Sequence, residues 1–256
     1  VVLRWQECLG VFYRRCGIRF WKVVKRNNRV LESKDGNYYL VGSKRIINKY
    51  EDVRIIKTSS NGKKIWDKNF GGNFDDIGEG IVETENNTFV VAASTFSYGT
   101  NGDAFLLKID SSGNLIWQKN YGGDKQDQLR DVDGNTVSGR HLAQTLDGGF
   151  LVSGYTRSYA KQPDNPYCVT KQGVVKYTLC HENTDMWVFK TDKSGKLLWN
   201  YAYPTDNEDT AFSAKQSANG SVVITGMTAY LKTDKVGSST SPFTYGTEDI
   251  IIVKIR

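Results

Sequence analysis

A block of about twenty residues occurs three times in the chain and constrains its fold more than any other feature. It reads DVRIIKTSSNGKKIWDKNFGG from Asp52, DAFLLKIDSSGNLIWQKNYGG from Asp103 and DMWVFKTDKSGKLLWNYAYPT from Asp185. In each copy Lys follows the Asp by five positions, Gly by ten and Trp by fourteen. A fourth copy begins at Asp249 with DIIIVK. Such self-similarity is typical of repeat architectures, in which each copy is one supersecondary unit.

A second recurring element precedes each of these blocks. It reads SKDGNYYLVGS from Ser33, TENNTFVVAAST from Thr84, TLDGGFLVSGYT from Thr145 and QSANGSVVITGMT from Gln216. Asp-Gly, Asn-Asn and Asn-Gly beside runs of β-branched residues indicate hairpin turns, because these residues accept a positive φ at low cost. Each unit therefore reads as four antiparallel strands, the last of which carries the Trp. The sequence predicts an all-β fold, a β-propeller of about four blades.

The predicted propeller is a single domain over residues 1–256, with approximate blades 11–66, 67–117, 118–199 and 200–256. The segment VLRWQECLG at Val2 matches LIWQKNYGG, with Trp5 in the place of Trp117. Residues 1–10 are therefore expected to complete the last blade, which removes exposed sheet edges. The result is a closed ring of four blades or an arc of a larger propeller.

The repeats resemble the SBBP-like bacterial β-propeller repeats found in secreted surface proteins of the Bacteroidetes type. The pattern D-x-x-x-x-K-x-D-x-x-G-x-x-x-W-x-x-x-x-G-G, followed by T-x-D-G-G-Y-x-x-x-G-x-T, carries the resemblance over roughly residues 33–256. This sequence departs from it at Pro204-Thr205 and in the turn at Glu85. The resemblance implies an extracytoplasmic propeller, secreted or at the cell surface, and implies no uniform enzymatic activity.

The recurring Asp and Trp residues are interpreted as structural, since a residue present in every blade serves the blade itself. We expect the tryptophans to pack between neighbouring blades and the aspartates to accept turn or backbone hydrogen bonds. The tryptophans are Trp5, Trp66, Trp117 and Trp199, and the aspartates are Asp52, Asp103, Asp185 and Asp249.

The cysteine pattern suggests disulfide bonds in an exported protein. Cys168 and Cys180 lie in the largest insertion, and Cys8 and Cys16 lie near the start of the chain. A Cys168–Cys180 disulfide is favoured, because closing a long loop restricts the unfolded chain most. A zinc site that includes His181 is the alternative, although no C-x-x-C spacing supports it.

No motif calls for a cofactor. The segment Asp131-Val132-Asp133 has carboxylates at the spacing of a calcium loop but lacks the downstream bidentate Glu, so a solvated turn is favoured over calcium. No G-x-S-x-G, Walker loop, dinucleotide fingerprint or H-E-x-x-H occurs. The sequence therefore predicts no catalytic residue and no resident metal.

Long insertions distinguish the later units. Between the Gly or Ala that ends strand two and the Asp that opens strand three lie 31 positions from Gly154, against ten from Ala93. In a meander, this loop and the loop from strand four to the next strand one emerge on the same face, and all insertions are expected there. That face is the candidate binding surface. The candidate ligand residues are Arg140, His141, Tyr159, Tyr167, Tyr177, Tyr230 and Lys232.

These features favour an extracytoplasmic binding or adhesion module that recognises a glycan or a protein. The alternatives are a propeller enzyme, such as a glycan lyase, a hydrolase or a quinone-dependent dehydrogenase, and a structural spacer. The net charge of +6 is scattered, so no nucleic-acid partner is expected. No stretch reaches the length of a membrane span. The chain begins without Met or a signal-peptide pattern, and we expect a mature fragment that belongs to a larger chain or assembly.

Overall fold

The computed structural model describes residues 26–45, 50–99, 101–129, 141–159, 184–203, 208–229 and 248–255. Within these ranges the chain forms four antiparallel sheets in chain order, here called blades 1 to 4. No helix of the described part is long and apolar enough to cross a membrane.

Blade 1 contains β1 (Arg26–Glu32), β2 (Tyr38–Arg45), β3 (Glu51–Thr58) and β4 (Lys64–Phe70), and blade 2 contains β5 (Asp76–Glu83), β6 (Phe89–Thr95), β7 (Asp103–Ile109) and β8 (Leu115–Tyr121). Blade 3 contains β9 (Asp127–Gln128), β10 (Leu142–Gln144), β11 (Phe150–Thr156), β12 (Asp185–Thr191) and β13 (Leu197–Tyr203). Blade 4 contains β14 (Glu208–Gln216), β15 (Val222–Ala229) and β16 (Glu248–Ile255). A 3₁₀ turn, Glu85–Asn87, joins β5 to β6.

Each blade is a meander whose strands pair in sequence order, except that in blade 3 both β9 and β10 pair with β11. The first strands of successive blades contact one another, β1 with β5, β5 with β10 and β10 with β14, so they form the inner side of the assembly. The fourth strands β4, β8 and β13 consist mostly of exposed and half-buried residues and form the outer side. The predicted all-β propeller of four-stranded antiparallel blades is confirmed. The strand that residues 1–10 are expected to add to blade 4, with Trp5, lies outside the described residues.

The hydrophobic cores lie between neighbouring blades. Alternate residues of β6 serve two of them: Phe89 and Val91 face blade 1, whereas Val90 and Ala92 face blade 3. This alternation follows from the two-residue period of a strand. Rings stack across the first interface, where the centroids of Tyr39 and Phe89 are 3.9 Å apart. The middle strands of blades 2 and 3 are buried on both faces because each lies between two neighbouring blades.

The repeated tryptophans lie between blades, at their outer edge. Trp66 donates a hydrogen bond from Nε1 to the carbonyl of Ser111 in the next blade, at 3.1 Å. A side chain at Gly195 would come within 3.0 Å of the Trp117 ring, so this turn of blade 3 fits against the tryptophan only as glycine. Trp66, Trp117 and Trp199 are each half-buried, because they belong to the outermost strand of a blade.

The repeated Lys of each block joins the two turns at one end of the blade. The Lys190 ammonium lies 2.6 Å from Oδ2 of Asp147, in the turn between β10 and β11. The corresponding Lys57 lies 3.4 Å from Oδ2 of Asp35. Blade 2 has Asn86 at the place of Asp35 and Asp147, so Lys108 has no aspartate at this position to pair with. This lysine ties neighbouring turns together rather than presenting a charge to a ligand.

We expect Trp117→Ala to lower the free energy of unfolding by about 2–3 kcal/mol, less than for a fully buried tryptophan because the ring is half-exposed. Urea unfolding measures the change. Ile116→Ala is the matched control, since Ile116 is 51% exposed and should change stability by about 0.5 kcal/mol or less. Equal effects of the two substitutions would contradict packing of Trp117 between the blades.

The Lys190–Asp147 pair predicts a pH dependence. The hydrogen bond from Lys190 lowers the pKa of Asp147 from 3.8 to about 2. A carboxyl whose pKa falls on folding stabilises the fold above its unfolded pKa, and this contribution disappears as the pH drops from about 4 to about 2. Asp147→Asn should therefore lower the free energy of unfolding at pH 7, by less than about 1 kcal/mol because the carboxylate is exposed. At pH 2 the substitution should have no effect. Thermal unfolding at both pH values measures the difference, and an unchanged loss at pH 2 would contradict the account.

Candidate functional site

A buried carboxylate at the start of the inner strand holds two loops of blade 2 together. Asp76 has no solvent exposure. Its Oδ2 accepts hydrogen bonds from the Gly72 amide, at 2.8 Å, and from the Ser97 hydroxyl, at 2.6 Å. Its Oδ1 accepts one from the Thr95 hydroxyl. Asp76 therefore joins the loop that enters the blade to the loop between β6 and β7.

The same arrangement recurs in blade 3. Asp127 is also fully buried, and its Oδ2 accepts hydrogen bonds from the Gly123 amide at 2.8 Å and the Ser158 hydroxyl at 2.5 Å. Its Oδ1 accepts a hydrogen bond from the Thr156 hydroxyl. We call this unit, a buried aspartate with its glycine amide and its Thr and Ser hydroxyls, the aspartate clasp. Its recurrence with the same partners shows that it belongs to the blade architecture.

A tyrosine completes each clasp. The Tyr98 hydroxyl donates to the carbonyl of Gly71 at 2.9 Å, and the Tyr159 hydroxyl donates to the carbonyl of Gly122 at 2.9 Å. The Tyr159 ring also packs on Trp187, with centroids 5.9 Å apart. Burial raises the pKa of Tyr159, so the hydroxyl stays protonated and able to donate. Tyr159, a predicted ligand residue, thus has a structural role in the loop that leads to the largest insertion.

The repeated strand-three aspartates lie beside these clasps. A side chain at Gly122 would come within 2.4 Å of Oδ1 of Asp103 and 3.0 Å of Oδ2 of Asp127, so only glycine fits between the two carboxylates. The same holds for Gly71, Asp52 and Asp76. Asp185 is buried at the corresponding place in blade 3. Asp249 opens the corresponding strand of blade 4, and its side chain lies outside the described ones.

Backbone hydrogen bonds show that the two expected loop classes share a face. The Asp127 amide donates to the carbonyl of Gly102 at 2.8 Å, and the Asp209 amide donates to the carbonyl of Thr184 at 2.7 Å. Each bond joins the start of an inner strand to the end of the strand two-to-three loop of the preceding blade. The insertions 160–183 and 230–247 begin and end on this face. We call it the loop face.

The insertion at 130–140 has a different origin from the one expected. It was expected between strand four and the next strand one, but it interrupts the inner strand itself, since both β9 and β10 pair with β11. The inner strands of blades 2 and 4 carry a β-bulge at Glu79 and Phe212, which is the corresponding place. A bulge leaves one residue unpaired, so extra chain can leave there without breaking the ladder.

Two of the predicted ligand residues, His141 and Tyr159, lie within the described residues, and both have structural contacts. His141 is 1% exposed, and its Nδ1 lies 3.0 Å from the carbonyl of Ser153 inside the sheet. Tyr159 belongs to a clasp, as described above. The others, Arg140, Tyr167, Tyr177, Tyr230 and Lys232, lie outside the described residues.

The predicted disulfide and metal residues also fall outside the described ranges. This holds for Cys168, Cys180, Cys8 and Cys16, and for Asp131 and Asp133 of the possible calcium turn. Among the residues that the structure describes, no three His, Cys, Asp or Glu side chains are grouped so as to hold a metal ion.

The carboxylates of the inner strands bear on possible catalysis. Asp76 and Asp127 use their oxygens to hold loops, so they are unsuited to proton transfer. Glu79, at the bulge of β5, is 5% exposed. It is a candidate for a general acid or base, as is Asp209 in the inner strand β14, which has no solvent exposure. Hydrolysis of a glycosidic bond commonly requires two such groups.

Sequence reasoning missed the clasp aspartates, although a signal was present. Asp76, Asp127 and Asp209 each follow the second residue of the Gly-Gly or Pro-Thr pair by four positions. The tetrapeptide pattern Thr-x-Ser-Tyr occurs at both Thr95 and Thr156. Its occurrence in the short loop of blade 2 marks Tyr159 as a repeat residue rather than part of an insertion.

No family model matches the sequence, and no curated protein matches it. Solved structures of similar shape include a thermostable family-43 glycoside hydrolase (13% identity, TM-score 0.43), an α-L-arabinofuranosidase from Fusarium graminearum (11%, 0.47) and a mannose phosphorylase from Leishmania mexicana (12%, 0.36). They cover 82%, 93% and 89% of this chain, which spans 67%, 63% and 62% of theirs. These likenesses are too distant to indicate a ligand or a reaction. The resemblance to SBBP-like repeats stays a hypothesis that rests on the motif.

Asp127→Asn should weaken the blade 3 clasp, because an amide nitrogen replaces one acceptor oxygen and faces donors. We expect a loss of about 2–4 kcal/mol in the free energy of unfolding, the range for a buried charged acceptor that leaves its donors unpaired. Urea unfolding measures it. Asp124→Asn is the control, since Asp124 is an exposed residue of the same loop and its substitution should be nearly neutral. A neutral Asp127→Asn would contradict the structural role of the clasp.

Proposed function

We propose that the chain is a non-catalytic glycan-binding module, secreted or at the cell surface, that captures its ligand through the loop face. The ligand class is chosen because the inserted segments combine tyrosines with lysine, arginine and histidine, groups that provide flat apolar faces together with hydrogen-bond donors. A protein ligand would suit the same groups, and the first experiment below separates the two.

The observation that carries this proposal is the position of the aspartate clasps. They hold loops of the loop face with buried, charged hydrogen bonds, and the clasp of blade 3 fixes the point from which the insertion 160–183 leaves. Loops on a rigid scaffold are the usual place for a binding site. The opposite end of the blades is occupied by short turns and by the Lys57–Asp35 and Lys190–Asp147 pairs, which join those turns to one another.

The extracytoplasmic location belongs to the same proposal. It rests on the Cys168–Cys180 pairing that we propose and on the motif resemblance. Peptide mapping of the exported protein without reduction tests it: a peptide pair linked through these two cysteines supports the location, and free thiols at both would contradict it.

An internal loop replacement tests the role of the loop face. Residues 160–184 are replaced by Gly-Thr-Asn-Gly, the residues that join Tyr98 to Asp103 in blade 2. In blade 2 the carbonyl of Gly102 accepts a hydrogen bond from the Asp127 amide, as the carbonyl of Thr184 does from the Asp209 amide in blade 3. The glycine that ends the inserted Gly-Thr-Asn-Gly therefore takes the place of Thr184, and the hydrogen bond to Asp209 is preserved. We expect binding on a glycan array to fall at least about tenfold, with stability changed by less than about 1 kcal/mol.

Lys63→Ala provides the matched control, because Lys63 is an exposed residue of a short turn on the opposite face. It should leave binding unchanged. Binding that survives the loop replacement but is lost in Lys63→Ala would place the site on the opposite face and contradict the proposal. Capture of proteins with no glycan retained on the array would overturn the choice of ligand class.

The alternative is a propeller enzyme that cleaves glycans. The solved structures of similar shape include enzymes of this class, but their likeness to this chain is too distant to support an argument. Glu79 is the structural feature that favours it, as a buried carboxylate on an inner strand. Incubation with oligosaccharides of arabinose, xylose and galacturonate, followed by measurement of new reducing ends, separates the two functions. Turnover that Glu79→Gln abolishes would replace the binding proposal with an enzyme.

A further inference from the structure

An exposed pair of aromatic rings lies on the loop face where blade 1 meets blade 2. Tyr50 directly precedes β3 of blade 1 and is 49% exposed, and Phe74 belongs to the loop that enters blade 2 and is 50% exposed. The ring centroids are 5.3 Å apart, and the ring planes are inclined by 51°. Two large apolar side chains are thus adjacent and half in solvent, at a place outside the inserted segments.

Hydrogen bonds hold the backbone beneath both rings. Oδ1 of Asp75 accepts a hydrogen bond from the Glu51 amide at 2.7 Å, which joins the end of one loop to the other loop. The Phe74 amide donates to the Ser97 hydroxyl at 3.0 Å. The two segments that carry the rings are therefore fixed before a ligand binds, which reduces the ordering cost of binding.

The other junctions of the repeat show that the fold does not require aromatic residues at these positions. Between blades 2 and 3 the corresponding residues are Asn101 and Lys125. The same backbone hydrogen bond forms there, from the Lys125 amide to the Ser158 hydroxyl at 2.9 Å, and the Asn101 side chain donates to a backbone carbonyl of the adjoining loop. Between blades 3 and 4 the sequence has Asn183 and Asn207. The exposed rings between blades 1 and 2 therefore serve something other than folding.

The charged groups at this junction are mostly carboxylates. Among the described residues they are Asp75, Glu51, Asp52 and Asp76, with Arg45 and Lys44 opposite Glu51 and Asp52 in the ladder. An acidic ligand would therefore meet like charge next to the rings. A carboxylate accepts several hydrogen bonds, so Asp75 has capacity left for the hydroxyl of a ligand.

A neutral sugar matches both features. The C–H groups of a pyranose ring form an apolar face that packs on an aromatic ring, while its hydroxyls donate hydrogen bonds to carboxylate oxygens. An apolar peptide would use the rings but would leave the carboxylates beside them without donors.

From these features we propose that Tyr50 and Phe74 form a platform on which one neutral sugar residue of the glycan packs, with the Asp75 carboxylate accepting from its hydroxyls. The choice of a sugar rests on the proposed function, whereas its neutrality rests on the carboxylates beside the rings. The platform lies on the same face as the insertions 160–183 and 230–247 but does not contain them. It is thus a subsite of the loop face that the blades themselves supply.

Saturation-transfer NMR of the whole chain tests the platform with the neutral disaccharides galabiose, cellobiose and xylobiose. Digalacturonate is the comparison, because it differs from galabiose only in the carboxylates at carbon 6. We expect saturation of at least one neutral disaccharide, strongest at the C–H protons of one ring face, and none of digalacturonate.

Tyr50→Asn and Phe74→Asn introduce the residue that the corresponding positions Asn101 and Asn207 already have, so the midpoint of urea unfolding should be unchanged. In an NMR titration, each should weaken binding of the neutral disaccharide by about fivefold, the loss expected for one aromatic contact. Tyr201→Asn is the matched control, since Tyr201 is a 40% exposed tyrosine of the outer strand β13. It should leave the affinity unchanged.

Three results would overturn the platform: no saturation of any of the three neutral disaccharides, saturation of digalacturonate as strong as that of galabiose, or equal effects of Tyr50→Asn and Tyr201→Asn. The glycan array separates this inference from the proposed function. Array binding that falls in the 160–184 replacement but is unchanged in the Tyr50→Asn and Phe74→Asn double variant would overturn the platform alone. A wild-type chain that retains no glycan on the array would overturn the proposed function, and disaccharide saturation that Tyr50→Asn abolishes would still support the platform.

Discussion

The carboxylates of Asp76 and Asp127 are excluded from solvent, so the fold itself must supply their hydrogen bonds. A buried charge without partners is severely destabilising, and each of these carboxylates satisfies its oxygens with one glycine amide and two hydroxyls from a different loop. Because these hydrogen bonds must form, the loop that enters blade 2 or blade 3 is held against the loop between the second and third strands of the same blade. The inner strands, the glycine pair and the loop face all depend on it.

This constraint separates the repeated residues from the variable ones. The recurring Trp, Lys, Asp and Gly-Gly residues connect strands, turns and neighbouring blades. The insertions lie where they leave the hydrogen bonds between strands intact. Two of them are in loops of the loop face, and the third is at the bulge position of an inner strand. Differences between equivalent positions of the blades are therefore the informative ones.

The blade architecture was predictable from the sequence because its signals are local: an Asp-Gly turn and a strand with alternating apolar residues repeat at fixed spacing. The roles of Tyr159 and His141 were not, because they depend on contacts between distant segments. Tyr159 lies 37 positions from Gly122, whose carbonyl it binds. The origin of the 130–140 insertion also escaped prediction, since a bulge leaves no mark in a single strand sequence.

Amide hydrogen exchange at the clasps tests the central claim most directly. If the buried aspartates hold the loop face rigid, the amides of Gly72 and Gly123, which donate to Asp76 and Asp127, should exchange only through global unfolding, as slowly as amides of β6 and β11. Exchange at the rate of an unprotected loop amide, with β6 and β11 still protected, would show that the clasps open independently and would contradict the account.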